Sequence, residues 1–155
     1  RPANVDETEK LRAFIYAITK NVNNLPVIFP IHPRTAHILR DAGIDEPNLM
    51  VIDPLGYLEF NFLVENSLVV ITDSGGITEE TTVMGIPCLT LRDNTERPET
   101  VDVGTNMLVG TNPDSIKPAL EILFKGQWKA GNIPELWDGK TSERIVGHLL
   151  DLDRK

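Results

Sequence analysis

Apolar and polar positions follow two periods along this chain. Short β-branched runs at residues 25–31, 49–52, 68–72 and 87–91 read as strands, and residues 106–109 add one more. Between them the apolar positions fall at helical spacing. Leu11, Phe14, Ile15 and Ile18 share one face of a helix over residues 7–21; Ile38 and Leu39 do so over residues 34–42, where Gly43 stops the helix. Residues 57–64 make a third helix and residues 77–84 a fourth, ended by Gly85 and Pro87. Residues 113–124 and 142–152 also read as helices, while the Gly- and Trp-containing stretch 126–140 between them takes no assignment. Such alternation predicts right-handed βαβ units and an α/β class fold, a doubly wound parallel sheet. These sheets bind ligands beyond the carboxyl ends of their strands, so candidate chemistry belongs there.

Composition narrows the classes of function. At 155 residues, 41% hydrophobic and 25% charged, the chain fits one globular domain that buries about two-thirds of its unfolded surface. The formal charge of −8 argues against nucleic acid as a partner, because that needs a broad basic face. Any anion site must be local, built from backbone amides and a few Arg or His side chains. No window approaches about 18 consecutive apolar residues, and the N-terminus has neither a basic start nor an apolar signal core, so no membrane partner is expected. The single Cys88 lies in the apolar run Pro87-Cys88-Leu89-Thr90-Leu91, where it fills space and fits a reducing, cytoplasmic compartment. The chain opens on Arg1-Pro2-Ala3-Asn4 without a methionine, as a piece cut from a longer protein would.

The strand over residues 68–72 runs into Asp73-Ser74-Gly75-Gly76 and then a helix with Glu79 and Glu80 in its first turn. Paired glycines let a ligand approach the backbone, the first helix amides have no internal acceptor, and the dipole adds about half a positive charge. Ser74 can donate its hydroxyl to the same ligand. That describes a site for the phosphates of a nucleotide. The plain alternative is a capped helix: Asp73 or Ser74 caps, the glycines permit the turn, and the acids complement the dipole. Glu80, one turn past Gly76, faces the turn and can accept from sugar hydroxyls.

The turn matches neither G-x-G-x-x-G nor the P-loop pattern. Gly139-Lys140-Thr141 is no P-loop either, and Thr141 or Ser142 reads as the cap of the last helix. At another strand end, Phe29-Pro30-Ile31-His32-Pro33-Arg34 holds an imidazole and a guanidinium between two prolines. After residues 87–91 comes Arg92-Asp93-Asn94-Thr95-Glu96-Arg97-Pro98-Glu99. Its two arginines either supply positive charge to a diphosphate or pair with the acids around them.

The stretch TDSGGITEETTVMGIPCLTLRDNTERPETVDVGTNMLVG, residues 72–110, resembles the signature region of the non-hydrolysing UDP-N-acetylglucosamine 2-epimerases. Further matches are Phe29-Pro30-Ile31-His32-Pro33, Ile52-Asp53-Pro54 followed by Tyr57-Leu58 and Phe60, and Gly139-Lys140-Thr141-Ser142-Glu143-Arg144-Ile145. The resemblance implies a Rossmann-like domain, the C-terminal, UDP-holding half of a GT-B type two-domain fold, with residues 1–155 lacking the N-terminal domain. It implies that Ser74, Gly75 and Gly76 bind the diphosphate, Glu80 the ribose hydroxyls and Arg97 the nucleotide. Phe60 is placed by the uracil, and Leu55, where some members carry Gln, meets the base through its backbone. His32 is placed near the phosphates and the reacting sugar as the candidate catalytic residue. Ala3 stands where the family often has Glu, ahead of Asn4.

The chemistry implied is anti elimination of UDP across the sugar C1–C2 bond to a 2-acetamidoglucal, then re-addition with C2 inverted. It needs no cofactor and no metal. The carboxylates that move the C2 proton belong to the absent domain, so the fragment alone is expected to be inactive. A homodimer is expected of the full-length protein. Two other readings stay open on the sequence: the donor-nucleotide domain of a GT-B glycosyltransferase, and a non-catalytic nucleotide-sensing domain.

Overall fold

The computed structural model describes residues 7–153, and the side chains of Pro33, Arg34 and Asp153 lie outside that description. So do Arg1, Ala3 and Asn4, at the edge where the family match begins. In chain order the elements are α1 (Thr8–Thr19), β1 (Val27–Pro30), α2 (Pro33–Asp41), β2 (Leu49–Ile52), α3 (Tyr57–Glu65), β3 (Val70–Thr72), α4 (Gly75–Met84), β4 (Cys88–Thr90), α5 (Pro98–Asp102), β5 (Asn106–Leu108), a 3₁₀ turn (Pro113–Ser115), α6 (Ile116–Phe124) and α7 (Thr141–Asp153). Every strand pairing is parallel: β1 with β2, Val27 opposite Leu49, and β3–β4–β5 in that order, Val70 opposite Cys88 opposite Asn106.

The α/β class and parallel pairing agree with the periodicity, with three differences. The sheet is hydrogen-bonded as two ladders among the described residues, not as one continuous sheet. Helix α4 starts at Gly75, two residues before residue 77, so Glu79 and Glu80 fall in its second turn and the first holds no acid. The loop expected over residues 92–99 ends in a short helix, α5, with Pro98 at its first position.

Alternation along β4 sorts the packing. Leu89 is fully buried and points into the larger apolar cluster with Phe14 of α1 and Ile116, Ala119, Leu120 and Leu123 of α6. Val27 of β1 and Ile71 of β3 pack against that same cluster, which joins the two ladders through their shared cover. Leu11 and Ile15, on the neighbouring stripe of α1, close a second cluster with Ile31 and Leu39. Each such buried aliphatic side chain contributes about 1.5–3 kcal/mol.

The opposite face of the β3–β5 ladder is polar. Thr78, Thr81 and Thr82 of α4, Thr90 of β4, Thr100 of α5, Thr105 and Asn106 are all buried there. Burying hydroxyls is tolerable only when they are bonded. The hydroxyls of α4 bond back to Gly75 O, Ile77 O and Thr78 O; Thr90 donates to Asn106 Oδ1 at 2.6 Å, and Asn106 Nδ2 to Thr100 Oγ1 at 3.1 Å. Helices therefore cover both faces of this ladder, as a doubly wound fold requires. No helix among the described residues is long and apolar enough to cross a membrane.

Candidate functional site

Parallel pairing delivers the ends of β3, β4 and β5 to one edge, and the candidate turn leaves that edge. Ser74 is the N-cap of α4 by position, with φ −88° and ψ 130°, yet its hydroxyl makes no capping hydrogen bond. Its amide donates to Thr72 Oγ1 at 3.1 Å instead. The amides of Gly75, Gly76 and Ile77 open the helix and have no intrahelical acceptor.

The glycines are the decisive detail. Neither Gly75 nor Gly76 has a positive φ, so neither is there to permit a left-handed turn. Nothing stands within 4 Å of a Cβ built on Gly76, and only Arg92 Nη1, at 4.0 Å, approaches one on Gly75. Glycine costs about 1 kcal/mol relative to alanine inside a helix. Neither backbone conformation nor packing within the chain accounts for it here, and the plain capping reading loses the Ser74 cap and the left-handed turn. What the glycines leave is open space over unpaired amides.

Glu80 is half-buried on the face one turn past Gly76 and makes no side-chain hydrogen bond among the described residues. It lines a cavity of about 330 Å³ with Tyr57, Glu79, Val83, Met84 and Trp137. That cavity brings the start of α3 beside α4, and with it the segment containing Leu55 and Phe60, both half-buried. Trp137 arrives from stretch 126–140, which had no assignment from sequence. The stretch is held by Trp128 Nε1 donating to Thr105 O at 2.9 Å and by Asn132 N donating to Val103 O at 2.8 Å.

The two arginines after β4 divide. Arg97 is exposed and its Nε donates to Glu79 Oε1 at 2.6 Å; that hydrogen bond, ahead of the charge of Glu79, raises its pKa above the ordinary guanidinium value. Thr100 fixes the backbone at this point by donating to Arg97 O at 2.7 Å. Arg92 is buried, and its Nη2 bonds Glu96 Oε1 at 3.2 Å. The sequence put both in one polar loop without separating them.

His32 is exposed at the carboxyl end of β1, and its carbonyl accepts from Thr35 N and Ala36 N to start α2. The Arg34 side chain, the other candidate there, lies outside the described residues. Helix α7 begins at Thr141, so neither Thr141 nor Ser142 caps it; Asp138 ahead of it accepts from Lys140 N at 3.0 Å and pairs with Arg144. Cys88 is buried, and burial pushes its thiol up to about 11, which keeps it protonated at neutral pH and out of nucleophilic chemistry.

The family model described as UDP-N-acetylglucosamine 2-epimerase matches residues 1–150. The UDP-N-acetylglucosamine 2-epimerase of Methanocaldococcus jannaschii is 41% identical over 94% of this chain, and the match covers 41% of that protein. The UDP-2,3-diacetamido-2,3-dideoxy-D-glucuronate 2-epimerase of Pseudomonas aeruginosa is 41% identical over 98% of the chain and 43% of its own length. A crystal structure of the M. jannaschii UDP-GlcNAc 2-epimerase in complex with UDP-GlcNAc and UDP superimposes with a TM-score of 0.79, covering 97% of this chain and 43% of that one. The chain thus spans less than half the length of the relatives it matches.

Proposed function

Because this chain belongs to the UDP-N-acetylglucosamine 2-epimerase family, we propose that it is the UDP-holding C-terminal domain of an enzyme interconverting UDP-N-acetylglucosamine and UDP-N-acetylmannosamine. The observation that carries this is the pair of glycines opening α4, which neither conformation nor internal packing explains and which bare unpaired amides to a ligand. The amides of Gly75 and Gly76 and the Ser74 hydroxyl take the diphosphate, Glu80 takes the ribose hydroxyls, and Arg97 holds the nucleotide from the α5 side. Phe60 and the backbone at Leu55 form the uracil end, next to the cavity that Tyr57 shares with Glu80.

In the reaction, a base removes the C2 proton, the C1–O bond breaks, and its electron pair leaves with UDP. Re-addition restores that bond and returns a proton to the other face of C2. The contribution of this chain is to stabilise charge developing on the leaving diphosphate, with donors already in place before the bond breaks. His32, at the neighbouring strand end, is the residue of this chain assigned to the reacting sugar. The carboxylates that exchange the C2 proton belong to the domain outside this chain. A buried, protonated thiol suits a reducing cytoplasmic setting.

The test is nuclear magnetic resonance of UDP-N-acetylglucosamine incubated in deuterated water with the whole protein and, separately, with this chain. The whole protein should yield the manno epimer with solvent deuterium at C2, and the chain alone should bind UDP without converting anything. Sugar transfer to an acceptor without epimerisation would replace this reading with that of a glycosyltransferase.

A further inference from the structure

The structure separates the two arginines that follow β4 by burial. Arg97 is exposed and already engaged by Glu79. Arg92 sits directly behind the glycine turn, and its backbone is fixed from both sides. The ladder continues through Leu91 N donating to Thr72 O at 2.8 Å, Arg92 N donates to Thr90 O at 2.9 Å, and Gly110 N donates to Arg92 O at 3.1 Å. Its side chain is only 9% exposed.

A guanidinium taken out of water is costly unless its donors are paired. Here the pairing is partial. Nη2 alone carries the side-chain hydrogen bonds found among the described residues, to Glu96 Oε1 at 3.2 Å and, at the limit of bonding, to Asn94 Oδ1 at 3.5 Å. The Glu96 side chain is 72% exposed, so water weakens its hold on that charge. Nη1 and Nε have no hydrogen bond among the described residues and are not sealed from solvent, so a ligand can reach them; apart from its own helix backbone and chain neighbours, a Cβ on Gly75 would meet Nη1 alone, at 4.0 Å.

We propose that Arg92 is a diphosphate-binding residue, its Nη1 reaching past Gly75 to the same phosphate oxygens that the α4 amides receive. The helix end offers only about half a positive charge, which a diphosphate exceeds, and the guanidinium adds further positive charge in a fork suited to phosphate. The absence of a side chain at Gly75 has a second purpose on this view, since it keeps the path from Nη1 to the ligand clear. The inference rests on the diphosphate reading of this turn, and its test separates the two.

Titration calorimetry of this chain with uridine, UMP and UDP, for the wild type and for Arg92→Gln and Arg92→Lys, is decisive. In the wild type, affinity should rise with each phosphate. Arg92→Gln should lower UDP affinity by about tenfold or more and leave uridine affinity and the melting midpoint unchanged. Arg92→Lys, which keeps the buried charge but not the fork, should lose part of the UDP preference and carries the test if the glutamine variant does not fold. An unchanged UDP-to-uridine ratio in a folded variant would overturn the role of Arg92 alone. Equal wild-type affinity for UDP and uridine would overturn the diphosphate reading, and this inference with it.

Discussion

Gly76 has no neighbour within 4 Å of its missing Cβ and an ordinary helical φ, so alanine fits there without strain. Alanine is also the better helix former by up to about 1 kcal/mol. Gly76→Ala should therefore hold or raise the thermal midpoint while lowering UDP affinity by about tenfold or more, because the methyl would occupy the space proposed for the phosphates. Unchanged UDP binding in that variant would remove Gly76 from the site. Cys88 makes the contrasting case of a residue whose role ends at packing. Burial lifts its thiol from 9.0 to about 11, with the Thr81 and Thr90 hydrogen bonds pulling the other way. Between those values the unfolded chain sheds a proton that the folded chain keeps, so stability is intact below about pH 9 and falls as pH rises toward 11. Two units correspond to about 3 kcal/mol. Urea melts at about pH 8 and pH 10.5 should show wild type losing more stability than Cys88→Ala; equal losses would mean the thiol is not held protonated. The glycine-rich junction of β3 with α4 and the buried Cys88 were legible in the sequence. The division between Arg92 and Arg97 was not, because residue order says nothing about which guanidinium the fold buries.

At the scale of elements, the junction of α4, α5 and β5 turns on Gly104. A Cβ there would lie 2.5 Å from Thr82 Oγ1 and 2.7 Å from Thr100 O. Thr82 is buried, presents both γ atoms within 2.6 Å and bonds Thr78 O, and the Thr100 carbonyl is backbone of α5, so neither yields without moving its helix. Gly104→Ala should cost about 1–3 kcal/mol in urea denaturation. Since Thr100 also holds Arg97 O and bonds Asn106, the same shift displaces Arg97 and should weaken nucleotide binding in the variant that still folds. Normal UDP affinity there would uncouple α5 from the site. Helix α5 escaped the sequence because PETVD is five residues long with no apolar period, its one mark being Pro98 at the first position. The start of α4 was misplaced for a related reason: two glycines read as a turn, but the packing of Thr78, Thr81 and Thr82 on the ladder carries the helix through them. Strand positions, by contrast, were set by β-branched runs long enough to speak for themselves, with boundaries off by no more than two residues.

Over the whole molecule, stability is unevenly distributed, and α7 lies at its low end. Residues 141–152 are all exposed, including Ile145, Val146, Leu149, Leu150 and Leu152. Arg144 ties the helix back by pairing with Asp138 and donating to Leu136 O at 3.3 Å, and Asp151 makes a further polar interaction. Surface pairs of this kind contribute about 0–1 kcal/mol. The apolar spacing of residues 142–152 was plain in the sequence and correctly predicted a helix, but periodicity reports only that a face is apolar, not that the same chain covers it. Deleting residues 141–155 should accordingly leave the rest of the fold nearly as stable, with the midpoint moving by no more than about 4 °C. Binding of an apolar dye should fall at the same time, since five exposed aliphatic side chains leave with the helix. UDP binding should survive, because Glu80, the glycine turn and both arginines lie upstream of the cut. A larger drop in midpoint would mean that α7 packs on the domain more firmly than its exposure and its surface pair imply.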